Sequence, residues 1–394
     1  MLFQTLDDKN QCVAVYANGE LDFNDIPKGM TRTWGYVPYI PGEIEYASLY
    51  CVGSSLTDVC PVHMREGWAK INKKLKAFQR SFRTAKVDMN ELCFFDLVQE
   101  RFLLEYCDMK NQITEHVLNT HHKPDNYDFL VELSSIIHDV KYRKLNIDVG
   151  GIRDIFAKPK TRNFLKKINS FSPYISYDIA GTRTGRLTTK KGSFPILTLD
   201  KDFRAVIKPN NDLFIELDFN AAELRTVLAL SGVEQPDKDI HEWIGNNIFA
   251  STEGREEIKK KVFAWLYNPL AKNDKLESVF KRKDITKSHF NGKEVKTPFG
   301  RTIEVDERRA FNYIVQSTTS DMFLRSMIKV FNLLKDRKSH IAFSVHDSLV
   351  IDFDMEDKDL LSEMVNVFSE TDLAKFKVNM SIGKDYGSMR TKRL

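Results

Sequence analysis

Two apolar, strand-like runs that each reach an aspartate constrain the fold of this sequence most. The first, Asp212-Leu-Phe-Ile-Glu-Leu-Asp-Phe, alternates with a period of two and ends at Asp218, before a helix-like run that starts at Ala221. The second, from Ile341 to Phe353, is apolar on both sides of a polar centre and predicts a β-hairpin with Asp347 at its tip. Either aspartate alone could be an ordinary turn residue. Together they predict a fold in which strands present carboxylates beside helices.

Two carboxylates from different strands that converge on one surface suit a pair of Mg²⁺ ions about 3.5 to 4 Å apart. Mg²⁺ prefers hard oxygen ligands and takes few of them from protein, which leaves coordination positions for substrate phosphates. We therefore expect Asp218 and Asp347 to be metal ligands, with Mn²⁺ as an alternative ion. The expectation depends on what lies between the two aspartates.

Between them the spacing predicts a helix that Pro269 ends, because the residue before a proline is disfavoured in the α region. Four of its residues recur at every fourth position: Arg255, Lys259, Phe263 and Tyr267. This stripe is about 18 Å long at 1.5 Å per residue, enough to lie along a nucleoside triphosphate. Its cations would hold phosphates and its aromatic rings the base and sugar. The alternative is a solvated lysine run with the two aromatic residues in the core.

Length, composition and charge limit the class of protein that could carry this site. The chain has 394 residues, which allows two or three domains, and its 42% hydrophobic and 29% charged residues are typical of globular proteins. The net charge is only +4, but basic residues cluster in residues 65–86 and 141–167. These clusters are either solvated faces or surfaces that track phosphates.

The cysteines and the first residues of the chain indicate the cellular compartment. The five cysteines are odd in number and form no C-x-x-C pair, which favours a reducing compartment. No apolar run is long enough for a membrane helix, and no signal peptide is recognisable. We expect a cytoplasmic protein with no membrane partner, and the resemblance described next implies a bacterial cell or a phage-infected host.

Six segments, in order, resemble motifs of the polymerase domain of family A DNA polymerases, the bacterial DNA polymerase I type. The resemblance covers about 210 residues, from near Ile175 to Ile382. The segments are Thr182-Arg-Thr-Gly-Arg-Leu-Thr-Thr (T-G-R-L-S-S), Asp218-Phe-Asn-Ala-Ala-Glu-Leu-Arg (motif A), Asp239-Ile-His, Arg255-x₃-Lys259-x₃-Phe263-x₃-Tyr267 (motif B), Arg308-x₃-Asn312-x₃-Gln316 and Val345-His-Asp (motif C). Each motif alone is weak, but six in order with matching internal spacing are strong together.

The resemblance implies a template-directed DNA polymerase that extends a primer 3′-OH with dNTPs and releases pyrophosphate. Asp218 and Asp347 would be catalytic metal ligands, and Lys259 could also protonate the pyrophosphate. The dNTP-binding residues would be Arg255, Lys259, Phe263, Tyr267 and His241, with Glu223 excluding a ribose 2′-OH. The residues that contact primer and template would be Arg186, Arg308, Asn312, Gln316 and His346. Primer-template DNA and dNTPs are thus the expected partners, and the sequence does not identify any replication accessory proteins.

The resemblance also implies a right-hand α+β architecture: a palm with an antiparallel sheet, helical fingers and thumb, and a small N-terminal α+β piece. We expect the piece at 1–60, the thumb at 61–165, the palm at 166–231 and 301–394, and the fingers at 232–300. Short strands are expected at Gln11–Tyr16 and Ser48–Gly53, and the piece could be a degenerate exonuclease. No D-x-E occurs in residues 1–150, so we expect no 3′–5′ proofreading.

Three residues depart from the family pattern: Ala264 and Asn268 stand where the family has glycines, and Ser348 replaces the glutamate after the motif C aspartate. Two alternative functions remain. A single-subunit RNA polymerase would share the palm, although Glu223 favours deoxynucleotides. A catalytically inactive DNA-binding module is the other alternative, against which every metal- and phosphate-binding residue type is retained.

Overall fold

The computed structural model describes residues 1–23, 25–250 and 253–392. The chain divides into two compact units, Met1–Tyr142 and Arg143–Leu394. The helices are α1 (Arg65–Thr84), α2 (Glu100–Thr120), α3 (Tyr127–Lys141), α4 (Pro159–Ile168), α5 (Ala222–Leu230), α6 (Ile240–Ile244), α7 (Arg255–Tyr267), α8 (Asp274–Phe280), α9 (Arg282–His289), α10 (Glu307–Leu333) and α11 (Leu361–Ser369). Of the helices in these described ranges, none is long and apolar enough to cross a membrane.

The strands are short except in one sheet. They are β1 (Phe3–Thr5), β2 (Val15–Ala17), β3 (Glu20–Asp22), β4 (Arg32–Thr33), β5 (Glu45–Tyr46), β6 (Asn146–Ile147), β7 (Tyr177–Asp178), β8 (Thr188–Thr189), β9 (Ile207–Lys208), β10 (Leu213–Phe219), β11 (Glu294–Lys296), β12 (Thr302–Glu304), β13 (His340–Val345), β14 (Ser348–Phe353), β15 (Val378–Gly383) and β16 (Arg390–Lys392). This mixture of helices and antiparallel strands confirms the α+β fold class.

The first unit packs a three-stranded sheet, β1-β2-β3, against α2. Leu103 and Cys107 of α2 form a core cluster with Ala14 and Tyr16. Its three long helices, α1, α2 and α3, lie within the span 61–165, which is expected to be helical. The strand predicted at Gln11–Tyr16 is present only as β2.

The strand predicted at Ser48–Gly53 is wrong. Residues Ala47–Leu49 form a 3₁₀ turn instead, and turn structure follows. The turn buries Ala47 and Cys51 against Val117 of α2. An apolar run this short is ambiguous, and here packing against a helix replaces pairing with a strand.

Cys12 and Cys93 form a disulfide across 81 residues of sequence, with their Cα atoms 5.4 Å apart. This corrects the expectation from the sequence that the cysteines are reduced. Cys51, Cys60 and Cys107 are buried and free. The spacing could not predict the pair, because only the packing of the first unit brings these distant segments together.

The second unit contains an antiparallel five-stranded sheet in the order β13-β14-β10-β15-β16. The central strand, β10, is flanked by both β14 and β15, so its residues are held from two sides. Helix α11 covers the sheet, and Phe368 stacks on Phe219 of β10 at 4.4 Å between ring centroids. The end of β10 is therefore a rigid place for a functional side chain.

Helices α5 to α10 share one apolar core. Trp265 and Leu266 of α7 pack there with Phe280 and Phe311, all nearly inaccessible to solvent. In α10, side chains on every face are buried between residues 314 and 328. This shared core fixes the position of α7 relative to the other five helices.

Candidate active site

The sheet places the two predicted aspartates at one edge. Asp218 is the penultimate residue of β10, opposite Ser348 on β14 and Asn379 on β15. Strands β13 and β14 are joined by the two-residue turn His346-Asp347, in which His346 adopts a left-handed conformation with φ of 56°. Asp347 thus lies one residue from the cross-strand neighbour of Asp218. The predicted hairpin and its tip are confirmed.

These carboxylates lie in a negative and partly desolvated environment. Burial, together with the nearby charges of Glu216 and Asp347, raises the pKa of Asp218 to about 6, although Asn379 donates a hydrogen bond to it. Burial also raises the pKa of Asp347, opposed by the positive charge of Arg186 and by His346. Among residues 1–23, 25–250 and 253–392, neither aspartate forms an ion pair. The edge of the sheet that carries Asp218 and Asp347 therefore has more negative than positive charge.

Ser348 interacts with the same acidic edge. Its hydroxyl donates a hydrogen bond to the Glu216 carboxylate at 3.0 Å. Glu216 lies two residues before Asp218 and therefore on the same face of β10. Where the motif C pattern has a glutamate, this chain has a hydroxyl that bonds to a carboxylate of the neighbouring strand.

Glu223 lies in the first turn of α5, and its carboxylate is bonded by side chains from two other segments. Its Oε1 accepts a hydrogen bond from Nη2 of Arg186 at 2.5 Å, and its Oε2 accepts one from the hydroxyl of Tyr267. The Glu223 side chain is only 10% exposed. Three predicted site residues from separate motifs therefore meet around one carboxylate.

The loop that carries Arg186 is held by contacts the sequence did not predict. Arg301, which follows the tight turn between β11 and β12, forms a two-pronged ion pair with buried Asp321 of α10, with bonds of 2.6 and 3.0 Å. Its guanidinium lies directly against Gly185, which has φ of +82°. Arg183 donates to the carbonyl of Glu304. The pattern T-P-F-G-R, with a charge after a turn glycine, is the only signal that could have pointed to Arg301.

A second group of predicted residues surrounds the start of α6. The Asp239 carboxylate caps this helix and pairs with Nη2 of Arg255 at 3.1 Å. His241 is buried and its ring lies edge-on to Phe263, 5.8 Å between centroids. Its Nδ1 has no hydrogen-bond partner, and burial lowers the pKa of the ring. His241 therefore has a free ring nitrogen beside the aromatic stripe.

Helix α7 has the bounds that the spacing predicts, and Asn268 after it is extended, with ψ of 110°. Lys259 lies 5.7 Å from the ring of Phe263, which is itself 5.7 Å from that of Tyr267. The four-residue stripe thus runs unbroken from Arg255 to Tyr267. Its cationic end lies at Asp239 and its aromatic end at Glu223.

The remaining predicted residues lie on α10 and at the hairpin turn. Arg308, Asn312 and Gln316 are spaced by four and share one face of α10. Asn312 donates to the carbonyl of Tyr267 at 3.3 Å, and it lines a cavity of about 690 Å³ with Arg308. His346 is exposed beside Asp347. The structure links Asn312 directly to the Tyr267 end of the site.

Comparisons with known proteins show which family this chain resembles. Residues 269–389 match the model of DNA polymerase family A. The chain is 24% identical over 316 residues to DNA polymerase I of Borreliella burgdorferi, covering 65% of this chain and 34% of that protein. It is 25% identical over 268 residues to the thermostable DNA polymerase I of Thermus aquaticus, covering 54% and 32%. These matches support a family A polymerase domain in this chain.

A solved structure supports the fold of the family A domain. The POL domain of Pol1 from M. smegmatis, in complex with DNA primer-template and dNTP, has a TM-score of 0.56 and 13% identity, and the match covers 73% of this chain and 76% of that one. The chain spans about a third of the length of the two curated relatives described above. The family match includes the motif C hairpin and α10, while Asp218 and α7 precede it.

Proposed function

We propose that this protein is a template-directed DNA polymerase that extends a primer 3′-OH with dNTPs and releases pyrophosphate. The observation that carries the proposal is the meeting of two aspartates, at the edge of β10 and β14, that form no ion pair within the described residues, with the Glu223–Arg186–Tyr267 contacts. The family A domain supports it, as does the similarity to proteins named DNA polymerase I.

The donor set at the sheet edge fits divalent cations. Asp218 and Asp347 supply hard oxygen ligands, and the raised pKa of Asp218 reflects burial and the nearby charges of Glu216 and Asp347, which a bound cation would offset. We propose that these two residues hold two Mg²⁺ ions, or Mn²⁺ ions. When bound, such ions supply activation of the primer hydroxyl and neutralisation of charge on the triphosphate.

The cationic end of α7 is proposed to bind the triphosphate. Arg255 and Lys259 project from successive turns of the helix, and buried His241 has its Nδ1 free. Lys259 forms no ion pair among the described residues, so its ammonium group is available to phosphate oxygens and to the departing pyrophosphate. Because phosphoryl transfer requires mainly positioning and charge neutralisation, cations suit this place better than a covalent nucleophile.

The aromatic end of α7 is proposed to bind the base and sugar of the nucleotide. Phe263 and Tyr267 offer ring surfaces 5.7 Å apart. Glu223 is held beside them by two hydrogen bonds, so it can act as a fixed steric and electrostatic barrier to a 2′-OH. This placement favours deoxynucleotides over ribonucleotides.

Arg186 and the face of α10 that carries Arg308 are proposed to contact primer and template. The proposed contacts are those of Arg186, Arg308, Asn312, Gln316 and His346. Hydrogen bonds from such side chains to backbone and groove atoms position the duplex without selecting a base. In this proposal residues 61–165 serve as thumb, 166–231 and 301–394 as palm, 232–300 as fingers, and 1–60 as an N-terminal piece without proofreading activity.

The test is extension of a primed DNA template with Mg²⁺, comparing dNTPs with ribonucleotides. We expect extension with dNTPs, no excision of a mismatched 3′ end, and loss of extension in Asp218→Ala and Asp347→Ala with primer-template binding largely retained. Asp359→Ala, at an exposed aspartate, is the matched control. Full extension by either active-site variant would refute the metal assignment, preferential use of ribonucleotides would indicate an RNA polymerase, and DNA binding without extension would indicate an inactive module.

A further inference from the structure

The carboxylate of Asp239 joins three elements of the proposed site. Its Oδ1 accepts hydrogen bonds from the backbone N–H groups of His241 at 3.0 Å and Glu242 at 3.3 Å, at the start of α6. Its Oδ2 accepts bonds from Nδ2 of Asn220 at 3.0 Å and Nη2 of Arg255 at 3.1 Å. Asp239 therefore ties α6 and α7 to the corner that follows β10.

Asn220 is the residue at that corner, two positions after Asp218, and it is only 8% exposed. Its Oδ1 accepts from the N–H of Ile240 and from Nη2 of Arg225, both at 3.2 Å. Both of these partners can only donate, while the Asp239 carboxylate can only accept. The Asn220 amide is thus fixed in one orientation, with its NH₂ toward Asp239.

The backbone around Asn220 is equally constrained. Its N–H bonds to the carbonyl of Lys377 at 2.9 Å, and its own carbonyl accepts from Nε of Arg225 at 2.8 Å. Arg225 is fully buried and also donates to the carbonyls of Pro236 and Lys238, each at 2.9 Å. The strand end and the loop that leads to Asp239 are therefore held together as one hydrogen-bonded unit.

We propose that Asn220 is a positioning residue that sets the spacing between the metal-binding edge and the triphosphate-binding side chains. One route of bonds runs from the corner beside Asp218, through Asn220 and Asp239, to Arg255, and a second runs from Asp239 to the backbone of His241. The inference rests on the proposed polymerase function. The triphosphate must meet the side chains on α7 and the metal-binding edge at the same time, so a change in their spacing weakens dNTP binding, and a short, fully bonded link keeps the spacing fixed before dNTP binds.

The asparagine side chain is specific for this role. A serine would be too short to reach both Asp239 and Ile240, and an aspartate would place two carboxylates 3.0 Å apart. Asn220→Asp keeps the size of the side chain and the acceptor for Arg225, but replaces the donor toward Asp239 by a like charge. It therefore breaks one defined bond with little change in packing.

The experiment measures dNTP affinity for the full chain on a primer-template with a dideoxy-terminated primer, together with KM and kcat on an extendable primer. Asn220→Asp should raise the Kd and KM for dNTP about 10- to 30-fold, with kcat changing less than about 3-fold. Asn247→Asp, an exposed asparagine close to the same helix, is the control and should leave both constants within about 2-fold.

A double variant that restores the bond between positions 220 and 239 distinguishes loss of positioning from a general loss of structure. In Asn220→Asp/Asp239→Asn the donor and acceptor are swapped, so the double variant should bind dNTP within about 3-fold of Asp239→Asn alone. If Asn220→Asp does not fold, Asn220→Ala removes the amide without adding a charge and should raise the Kd about 3- to 10-fold.

Two results would overturn the inference: an unchanged Kd in Asn220→Asp or Asn220→Ala, or additive losses in the double variant. Failure of the wild-type chain to bind or incorporate dNTP would instead refute the proposed function. The two failures are therefore distinguishable in one set of measurements.

Discussion

The hydroxyl of Tyr267, in the last residue of α7, donates a hydrogen bond to the carboxylate of Glu223 in the first turn of α5. The same carboxylate accepts from Arg186, so an aromatic side chain and a cation fix it from two sides. Burial and the Glu223 charge raise the pKa of Tyr267 far above its usual range, which keeps the phenol protonated as a donor. The barrier proposed against a 2′-OH is therefore rigid.

The first prediction concerns this barrier. Glu223→Ala should increase the relative kcat/KM for ribonucleotides by about 10²-fold or more, because it removes both the steric block and the charge. Tyr267→Phe removes one of the two bonds and should increase it by a smaller factor. Single-nucleotide insertion with matched dNTP and rNTP measures the ratio, with Glu257→Ala on the exposed face of α7 as control. Unchanged discrimination in Glu223→Ala would exclude the barrier role.

Part of this site could be predicted because it depends on local periodicity. The alternation in 212–219 predicts β10, and the four-residue repeat together with Pro269 predicts both ends of α7. Each feature follows from a few consecutive residues. The turn at Asp347 also follows locally, from a polar centre between two apolar runs.

The contacts that hold the site could not be predicted in this way. Arg301 and Asp321 are 20 residues apart, and Asn220 and Asp239 are 19 apart, so no local pattern relates them. A fully buried arginine such as Arg225 is also rare, and nothing in the sequence around it marks this side chain as buried. These pairings exist only because tertiary packing brings the segments together.

The second prediction concerns the free energy of unfolding without metal. The folded-state pKa of Asp218 is about 6, above the ordinary value near 3.9, so the folded protein binds this proton more tightly than the unfolded chain. The charged carboxylate therefore costs stability that is absent below pH 4, grows between pH 4 and 6, and is complete above pH 6. Asp218→Asn should stabilise the metal-free protein by about 1–3 kcal/mol at pH 7.5 while abolishing extension.

Chemical denaturation in EDTA at pH 7.5 and pH 4.5 measures this difference, with Asp359→Asn as the control. The gain in Asp218→Asn should fall to about a third at pH 4.5, where the folded carboxyl is protonated but the unfolded one is still mostly charged. Added Mg²⁺ or Mn²⁺ should raise the Tm of the wild-type protein more than that of Asp218→Asn. If Asp218→Asn lowers the free energy of unfolding in EDTA, the charged Asp218 carboxylate does not destabilise the metal-free protein, and the prediction is wrong.

The third prediction concerns the close contact between Gly185 and Arg301. A Cβ at position 185 would lie 2.4 Å from Nη2 of Arg301, whose guanidinium is held by buried Asp321 and cannot easily move. Gly185→Ala should therefore displace the loop and the Arg186 side chain one residue later. We expect about a 10-fold weaker Kd for primer-template and a free energy of unfolding lower by about 1–3 kcal/mol.

Gly192→Ala is a matched control, because Gly192 also has a left-handed φ, +89°, but nothing lies within 4 Å of its added Cβ. Both variants carry the same backbone strain, so their difference isolates the contact with Arg301. Fluorescence anisotropy of a labelled primer-template gives the Kd, and urea denaturation gives the stability. If the two variants weaken DNA binding equally, the contact with Arg301 does not position Arg186, and backbone strain alone accounts for the loss.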